Sequence, residues 1–188
     1  MTVQPKGTKL DYTVTWLEMT ACPDWGWPPL PVSQATTLIR SVAPPVWWFL
    51  MLYDAVGRDY AWEDIHKREH AEIAEWLQND RMALYVLMGD GWPHGFFMLE
   101  EQDEGVVDLA YLGMVPEAVG KELGRWLLKT AILTAWARPG TAKLTVNTCT
   151  LDHPRALQTY QRAGFVPVRR EERSRILTRD RDLSRIPD

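Results

Sequence analysis

The spacing of apolar residues changes along the chain, and each change marks a predicted element. Tyr12–Met19 (YTVTWLEM) is rich in β-branched and aromatic residues and reads as a first strand. Ala21–Val32 follows, with Pro23, Pro28, Pro29 and Pro31 around Trp25 and Trp27. Proline at that density forbids helix and ladder alike, so this is an extended loop. Ser33 or Gln34 is expected to start a short helix that ends before Pro44. Val46–Ala61 is almost continuously apolar until Tyr53, Asp54, Arg58 and Asp59 intrude, which fits a second loop or a short helix lining a pocket. Trp62–Asn79 has Ile65, Ile73, Trp76 and Leu77 at helical spacing and charge over most of the rest.

From Met82 onward the period is mostly that of strands. Met82–Met88 and Pro93–Leu99 flank Gly89-Asp90-Gly91, a hairpin signal. After the polar turn Glu100–Gly105, Val106–Met114 reads as a longer strand and Lys121–Trp136 as a helix broken by Pro139-Gly140. Lys143–Thr150 is a strand, and Pro154–Ala163 is a helix with proline at its start and Gly164 at its stop. Phe165–Arg170 begins a last strand, and the charged tail beyond it is expected to pair through Ile176-Leu177.

Composition narrows the class. The 188 residues suit a single domain, 1–188, with a sizeable core. At 46% hydrophobic and 24% charged, the composition is that of an ordinary globular protein. A formal net charge of -4 argues against nucleic acid as the main partner, because phosphate binding needs a basic face. The most apolar run, Val46–Tyr53, is too short to span a bilayer, and no stretch reads as a signal peptide. Cys22 and Cys149 are far apart and have no metal or redox spacing, so a reduced cytoplasmic setting is expected.

Leu112–Leu128 (LGMVPEAVGKELGRWLL) is where the chemistry concentrates. A strand end, a Pro-Glu turn and a loop with Gly120 and Gly124 lead into an amphipathic helix. The first N–H groups of a helix have no internal partner, and its dipole favours negative charge there. Lys121 and Arg125 add positive charge beside those amides. The bland alternative is a strand-turn-helix link with glycines for close packing.

This stretch resembles the GNAT superfamily of N-acetyltransferases. There, a Leu-x-Val-x-Pro-like strand end leads into an Arg/Gln-x-x-Gly-x-Gly/Ala loop and a helix. Here the strand end is Leu112, Gly113, Met114, Val115 and Pro116, and the loop is Val119, Gly120, Lys121, Glu122, Leu123 and Gly124. A second stretch, Leu151–Phe165, resembles the family's later segment through His153, Ala156, Tyr160, Gly164 and Phe165. The two segments cover roughly the last half of the chain. Val119 stands where the family usually has Arg or Gln, Glu122 where it usually has Gly, and His153 where it usually has Asn.

The resemblance implies an α/β (α+β) fold, a mixed twisted sheet of about six to seven strands with helices on both faces. The splayed strand pair would be Val106–Met114 and Lys143–Thr150. It implies acetyl-CoA as co-substrate. The backbone of Leu112, Gly113 and Met114 would pair with the pantetheine arm, the amides of Gly120–Gly124 would take the pyrophosphate, and Arg125, His153 and Ala156 would complete the site. Tyr160, four residues after Ala156 on one helical face, would be the general acid toward sulfur; the alternative is a core tyrosine. Asp108 falls where the histone-acetyltransferase branch has its catalytic Glu and would be the base; the alternative is a solvated strand-start carboxylate. Strand alternation is expected to put Asp108, Ala110, Leu112 and Met114 on one face.

The acceptor would be a small-molecule or peptide primary amine, attacking directly in a ternary complex. Trp25, Trp27, Tyr53 and Asp54 are candidates to hold it, by aromatic faces and a carboxylate; the alternative for the tryptophans is core closure. Val119 and Glu122 favour a second reading, a degenerate acyl-CoA-binding or sensing module without turnover. The resemblance also makes a homodimer an expected assembly. His66-Lys67-Arg68-Glu69-His70 matches the H-x-x-E-H pattern of inverted zinc peptidases, but no further ligand stands out, and a solvated helical face with no metal is expected.

Overall fold

The computed structural model describes residues 3–30, 35–120 and 122–187. In chain order the elements are β1 (Val3–Gln4), β2 (Lys9–Met19), β3 (Thr36–Ser41), α1 (Val46–Gly57), α2 (His70–Gln78), β4 (Met82–Gly89), β5 (Trp92–Glu101) and β6 (Val106–Met114). They continue with α3 (Leu123–Trp136), β7 (Lys143–Cys149), α4 (Ala156–Arg162), β8 (Val166–Ile176) and β9 (Arg181–Asp182).

Seven strands form one mixed sheet in the order β3-β4-β5-β6-β7-β2-β8. Every neighbouring pair is antiparallel except β6 and β7, whose parallel crossover is made by α3. The sheet is buried on both faces, which is why β4 and β5 read as unbroken apolar runs. Leu84, Val86, Phe96 and Met98 point toward α1 and α2, against Phe49, Leu52, Val56 and Ile73. Leu87, Phe97 and Leu99 point the other way, against Leu127, Ala131 and Ile132 of α3. The strand count, the helices on both faces and the diverging pair all match the fold that the sequence resemblance implied.

Three segments differ from the sequence reading. A strand, β3, lies where a short helix was expected before Pro44; Ser33 and Gln34, the expected start, lie outside the described residues. Thr36, Thr37 and Ile39 are β-branched and pair with β4 from Thr36↔Gly89 to Ser41↔Leu84, which outweighs weak helical spacing. Val46–Gly57 is a full helix, its period hidden because apolar Trp47 and Met51 lie exposed opposite its buried stripe. Trp62–Asn79 is not one helix: a 3-10 turn at Ile65–Lys67 is followed by extended Arg68 and Glu69, and α2 begins only at His70. Separately, β8 runs to Ile176 in a long ladder with β2, from Glu18↔Val166 to Lys9↔Ile176.

The first and last described strands meet. β1 pairs with β9, and the buried Arg181 of β9 donates to the carbonyls of Asp59 (2.7 Å) and Leu151 (2.8 Å). These bonds fix the aromatic loop after α1 against the β7–α4 connection.

Candidate functional site

The two parallel strands pair for only three rungs: Val106↔Lys143, Val107↔Leu144 and Asp108↔Thr145. Past Asp108, among the described residues, β6 pairs only with β5, through Leu109, Tyr111, Leu112, Gly113 and Met114. Its edge toward β7 is therefore open. Backbone groups on such an edge need partners, and an extended ligand can supply them.

A bulge lies just past the last rung. Leu99 pairs with Leu109 and Met98 with Tyr111, so Ala110 is the extra residue. The bulge changes the facing of everything beyond it. Leu109 and Leu112 both pack on the α3 side, and Tyr111 packs on the α1 side. Asp108, alternating with Val107 and Leu109, therefore faces the α1 side. The expectation that Asp108 and Leu112 share a face fails for this reason: period-two alternation does not survive an inserted residue.

A cleft of about 780 Å³ passes through the opening. At one end it is lined by Val119 and Gly120 of the turn, Gly124 and Arg125 of α3, and Leu112–Met114 of β6. His153, Ala156 and Tyr160 line it from the α4 side. Gly113 is tightly packed: a Cβ there would lie 2.3 Å from Cγ1 of Val56. Gly120 has φ +89°, the left-handed region that glycine adopts without strain. Glu122, the N-cap of α3, also has positive φ (58°), makes no side-chain cap bond and lies exposed. This explains why glycine is usual there in the resembled pattern. Leu123 is buried in the α3-side core and does not line the cleft, and Lys121 lies outside the described residues. His153 Nδ1 accepts from the Arg155 N–H at 3.1 Å, which leaves Nε2 as the donor of a neutral ring.

Tyr160 is 8% exposed and packs edge-on to Phe165. Burial, with the carboxylates of Asp152 and Asp108 nearby, pushes its pKa far above the ordinary value of 10, so the phenol holds its proton at all physiological pH. Asp108 accepts a hydrogen bond from Thr145 Oγ1, its partner in the last rung. Burial pushes its pKa up from 3.8 to about 6, against the lowering effect of the Thr145 bond and with a smaller push from Glu100. Asp108 does not itself line the cleft, although its neighbours Leu109 and Ala110 do.

The other end of the cleft is aromatic: Tyr12 and Trp16 from β2, Tyr60 and Trp62 from the loop after α1, with Tyr53 and Tyr111. Of the four residues considered for the acceptor, only Tyr53 lies here. Trp25 packs on the α3-side core with Lys129 Nζ 4.8 Å over its ring. Trp27 is 60% exposed and lines no part of the cleft. Asp54 is already engaged by Arg179 and His66, both at 2.8 Å. The proline-rich loop is drawn to the α3 side because Trp126 Nε1 donates to the Pro28 carbonyl.

Sequence reasoning missed Asp152, Trp62, Arg173 and Arg175. Asp152 Oδ1 accepts from Trp62 Nε1 (3.1 Å), and its Oδ2 accepts from Thr148 Oγ1 and the Cys149 N–H (both 2.8 Å). Its adjacency to His153 was a usable signal. The arginines alternate along β8, a period-two pattern visible once the tail is read as a strand.

The helical register that H-x-x-E-H needs is broken at Arg68–Glu69, so His66 and His70 do not share a helix. Among the described residues no group of three or more His, Cys, Asp or Glu side chains is disposed to hold a metal ion, and no helix is long and apolar enough to cross a membrane.

A family model described as the acetyltransferase (GNAT) family matches residues 49–165. No curated protein matches the chain. Among solved structures, a GCN5-related N-acetyltransferase from Sphaerobacter thermophilus is 15% identical with a TM-score of 0.57, over 93% of this chain and 53% of that one. An IAA acetyltransferase from Bacillus cereus is 23% identical with a TM-score of 0.51, over 70% and 77%. An aminoglycoside acetyltransferase from an uncultured soil metagenomic sample is 16% identical with a TM-score of 0.55, over 69% and 91%. The chain spans 63%, 53% and 54% of the length of three of the structures that cover it most fully.

Proposed function

The chain belongs to the GNAT acetyltransferase family, and we propose that it moves an acetyl group from acetyl-CoA to a primary amine by direct attack in a ternary complex. The observation that carries this reading is the parallel pair that stops after three rungs and leaves one strand edge open beside a cleft. A pantetheine arm is an extended amide chain, and the open edge of Leu112–Met114 suits it. The first-turn amides of α3, with Gly120, Gly124 and Arg125 beside them, suit the pyrophosphate. Small Ala156 leaves room for the arm on the α4 side.

In this reading the amine nitrogen bonds to the thioester carbonyl carbon, and the carbon–sulfur bond breaks. Tyr160 gives its phenolic proton to the departing sulfur. Asp108, ionised at neutral pH, takes the amine proton through water, since it stands behind the cleft wall. Direct attack is favoured over an acyl-cysteine route by the state of Cys149, the thiol that lines the cleft. Burial and the adjacent Asp152 raise its pKa to about 11, so it is a poor nucleophile at neutral pH. The acetyl-CoA site and the roles of these residues extend to a single domain, 1–188, acting on a small-molecule or peptide amine, alone or as a homodimer.

A degenerate binding module is the second reading, favoured by Val119 and Glu122, which stand where the family usually has Arg or Gln and Gly. Calorimetric titration with acetyl-CoA, paired with thiol release over an amine panel, separates the two. Binding with thiol release is expected. Binding with no release from any amine would favour the module, and no binding would overturn both.

A further inference from the structure

The aromatic end of the cleft, the acceptor end in this reading, carries several arginines. β8 runs beside β2 and turns Arg169, Arg173 and Arg175 onto the aromatic floor. Arg169 and Arg173 lie over the Trp16 ring, with Cζ at 4.0 and 5.1 Å from its centroid, and Arg175 lies 5.5 Å from that of Tyr12. Arg173 and Arg175 line the cleft. A single carboxylate, Glu171, serves both Arg169 and Arg173, so that pair of guanidiniums keeps a net positive charge over the ring. Arg175 donates to the Ala61 carbonyl and to Asp64 (3.0 Å), and its Nε is buried with no partner among the described residues.

The acidic groups here are committed. Asp64 faces Arg175 and Lys67. Asp152 already accepts three hydrogen bonds. Among the described residues, the carboxylates that line the cleft, Asp64 and Asp152, already hold partners, and the aromatic face best suited to cation–π contact already carries two guanidiniums. A substrate carboxylate would instead meet an under-compensated arginine pair beside Arg175, at a cleft end lined by rings.

We propose that the acceptor is an amine that also bears a carboxylate on an aromatic or apolar body, the carboxylate lying at Arg173 and Arg175 and the body on Trp62 and Tyr111, cleft-lining rings with no guanidinium over them among the described residues. This rests on the transferase reading above. In a protein with a net charge of -4, a cationic wall at the acceptor end also draws an anionic substrate inward.

The test compares tryptophan and 4-(aminomethyl)benzoate with tryptamine and benzylamine, which lack the carboxylate, and with spermidine and kanamycin as polycations. The readout is thiol release from acetyl-CoA as kcat/KM. At least one carboxylate-bearing amine should exceed its counterpart by about tenfold or more. Arg173→Gln should narrow that ratio at least several-fold, mainly through KM, and Arg173→Lys should restore part of it. Arg173 is largely exposed at 43%, so folding is not at stake. Preference for tryptamine, benzylamine or the polycations would overturn this proposal and leave the transferase reading standing. If no amine in the panel turns over, calorimetry with 4-(acetamidomethyl)benzoate on the coenzyme A complex decides: binding weakened by Arg173→Gln supports the proposal, and no binding overturns it. Failure to bind acetyl-CoA at all would remove both readings.

Discussion

Asp108→Asn is expected to make the protein more stable above neutral pH. Asp108 sits at the vertex where β6 and β7 part, mostly buried, with Thr145 Oγ1 as its hydrogen-bond donor. Its pKa is about 6 in the fold against an ordinary 3.8. A carboxyl whose pKa is raised by folding holds its proton more tightly in the native state. Its contribution to stability is intact below pH 3.8 and is lost as pH rises through about 6. At about 1.4 kcal/mol per pH unit, that gap corresponds to about 3 kcal/mol once the group is ionised. The amide is neutral at every pH, can still accept from Thr145, and can turn its NH₂ toward Glu100, which pairs across from β5. Urea unfolding followed by tryptophan fluorescence at pH 4, 6 and 8 measures the difference. The variant should gain up to about 3 kcal/mol at pH 8, or roughly 6–12 °C in Tm, and almost nothing at pH 4. A difference that stays constant across this range would refute the claim that burial of the ionised carboxyl strains the native state. The same variant bears on catalysis: wild-type kcat/KM should fall as pH drops below about 6, and Asp108→Asn should lose both that dependence and most of the rate.

Other expectations follow from the same site. Tyr160→Phe should lower turnover about 100-fold while acetyl-CoA affinity, read by calorimetry, stays nearly unchanged; equal loss of both would make Tyr160 structural. Glu122→Gln and Glu122→Gly should each tighten coenzyme A binding by removing the carboxylate. Only Glu122→Gly should also raise Tm, by about 2–4 °C, because it relieves roughly 1 kcal/mol of left-handed backbone cost. Unchanged affinity in both variants would mean that the carboxylate points away from the pyrophosphate. Gly113→Ala should cost about 1–3 kcal/mol in urea unfolding, because its Cβ meets Val56 at 2.3 Å. Val56→Ala on top of it should recover part of that loss, and no recovery would mean the clash lies elsewhere.

The β4–β5 hairpin and the turn after β6 were legible because each is encoded locally, while the sheet and its splayed pair followed from the family resemblance. Gly89-Asp90-Gly91 sets a hairpin, and Pro116, Gly120 and Gly124 punctuate one strand-turn-helix unit. The first half was harder for physical reasons. In α1, exposed Trp47 and Met51 erase the contrast between faces. β3 is an edge strand whose identity depends on a partner more than forty residues away, as in Thr36↔Gly89. The bulge at Ala110 leaves no mark in residue types, so the facing of Asp108 could not be read from alternation. The aromatic end of the cleft was obscured because it is assembled from β2, the loop after α1 and β8, segments that only the tertiary fold brings together. Trp25 and Trp27 cluster in sequence with the other aromatics, yet Pro28 is bonded to Trp126 and Trp25 packs on the α3 side.

The position of β2 has a consequence for how the molecule is made. This strand leaves the ribosome well before its ladder partners β7 and β8, so Trp16 waits for Asn147 and Arg169. Until those late segments emerge, an eleven-residue ribbon rich in rings and β-branched side chains has neither neighbour. Nascent chains stalled before β8 should therefore be sticky and dependent on chaperones, and refolding should be slowest at the step that inserts β2 between its two late partners.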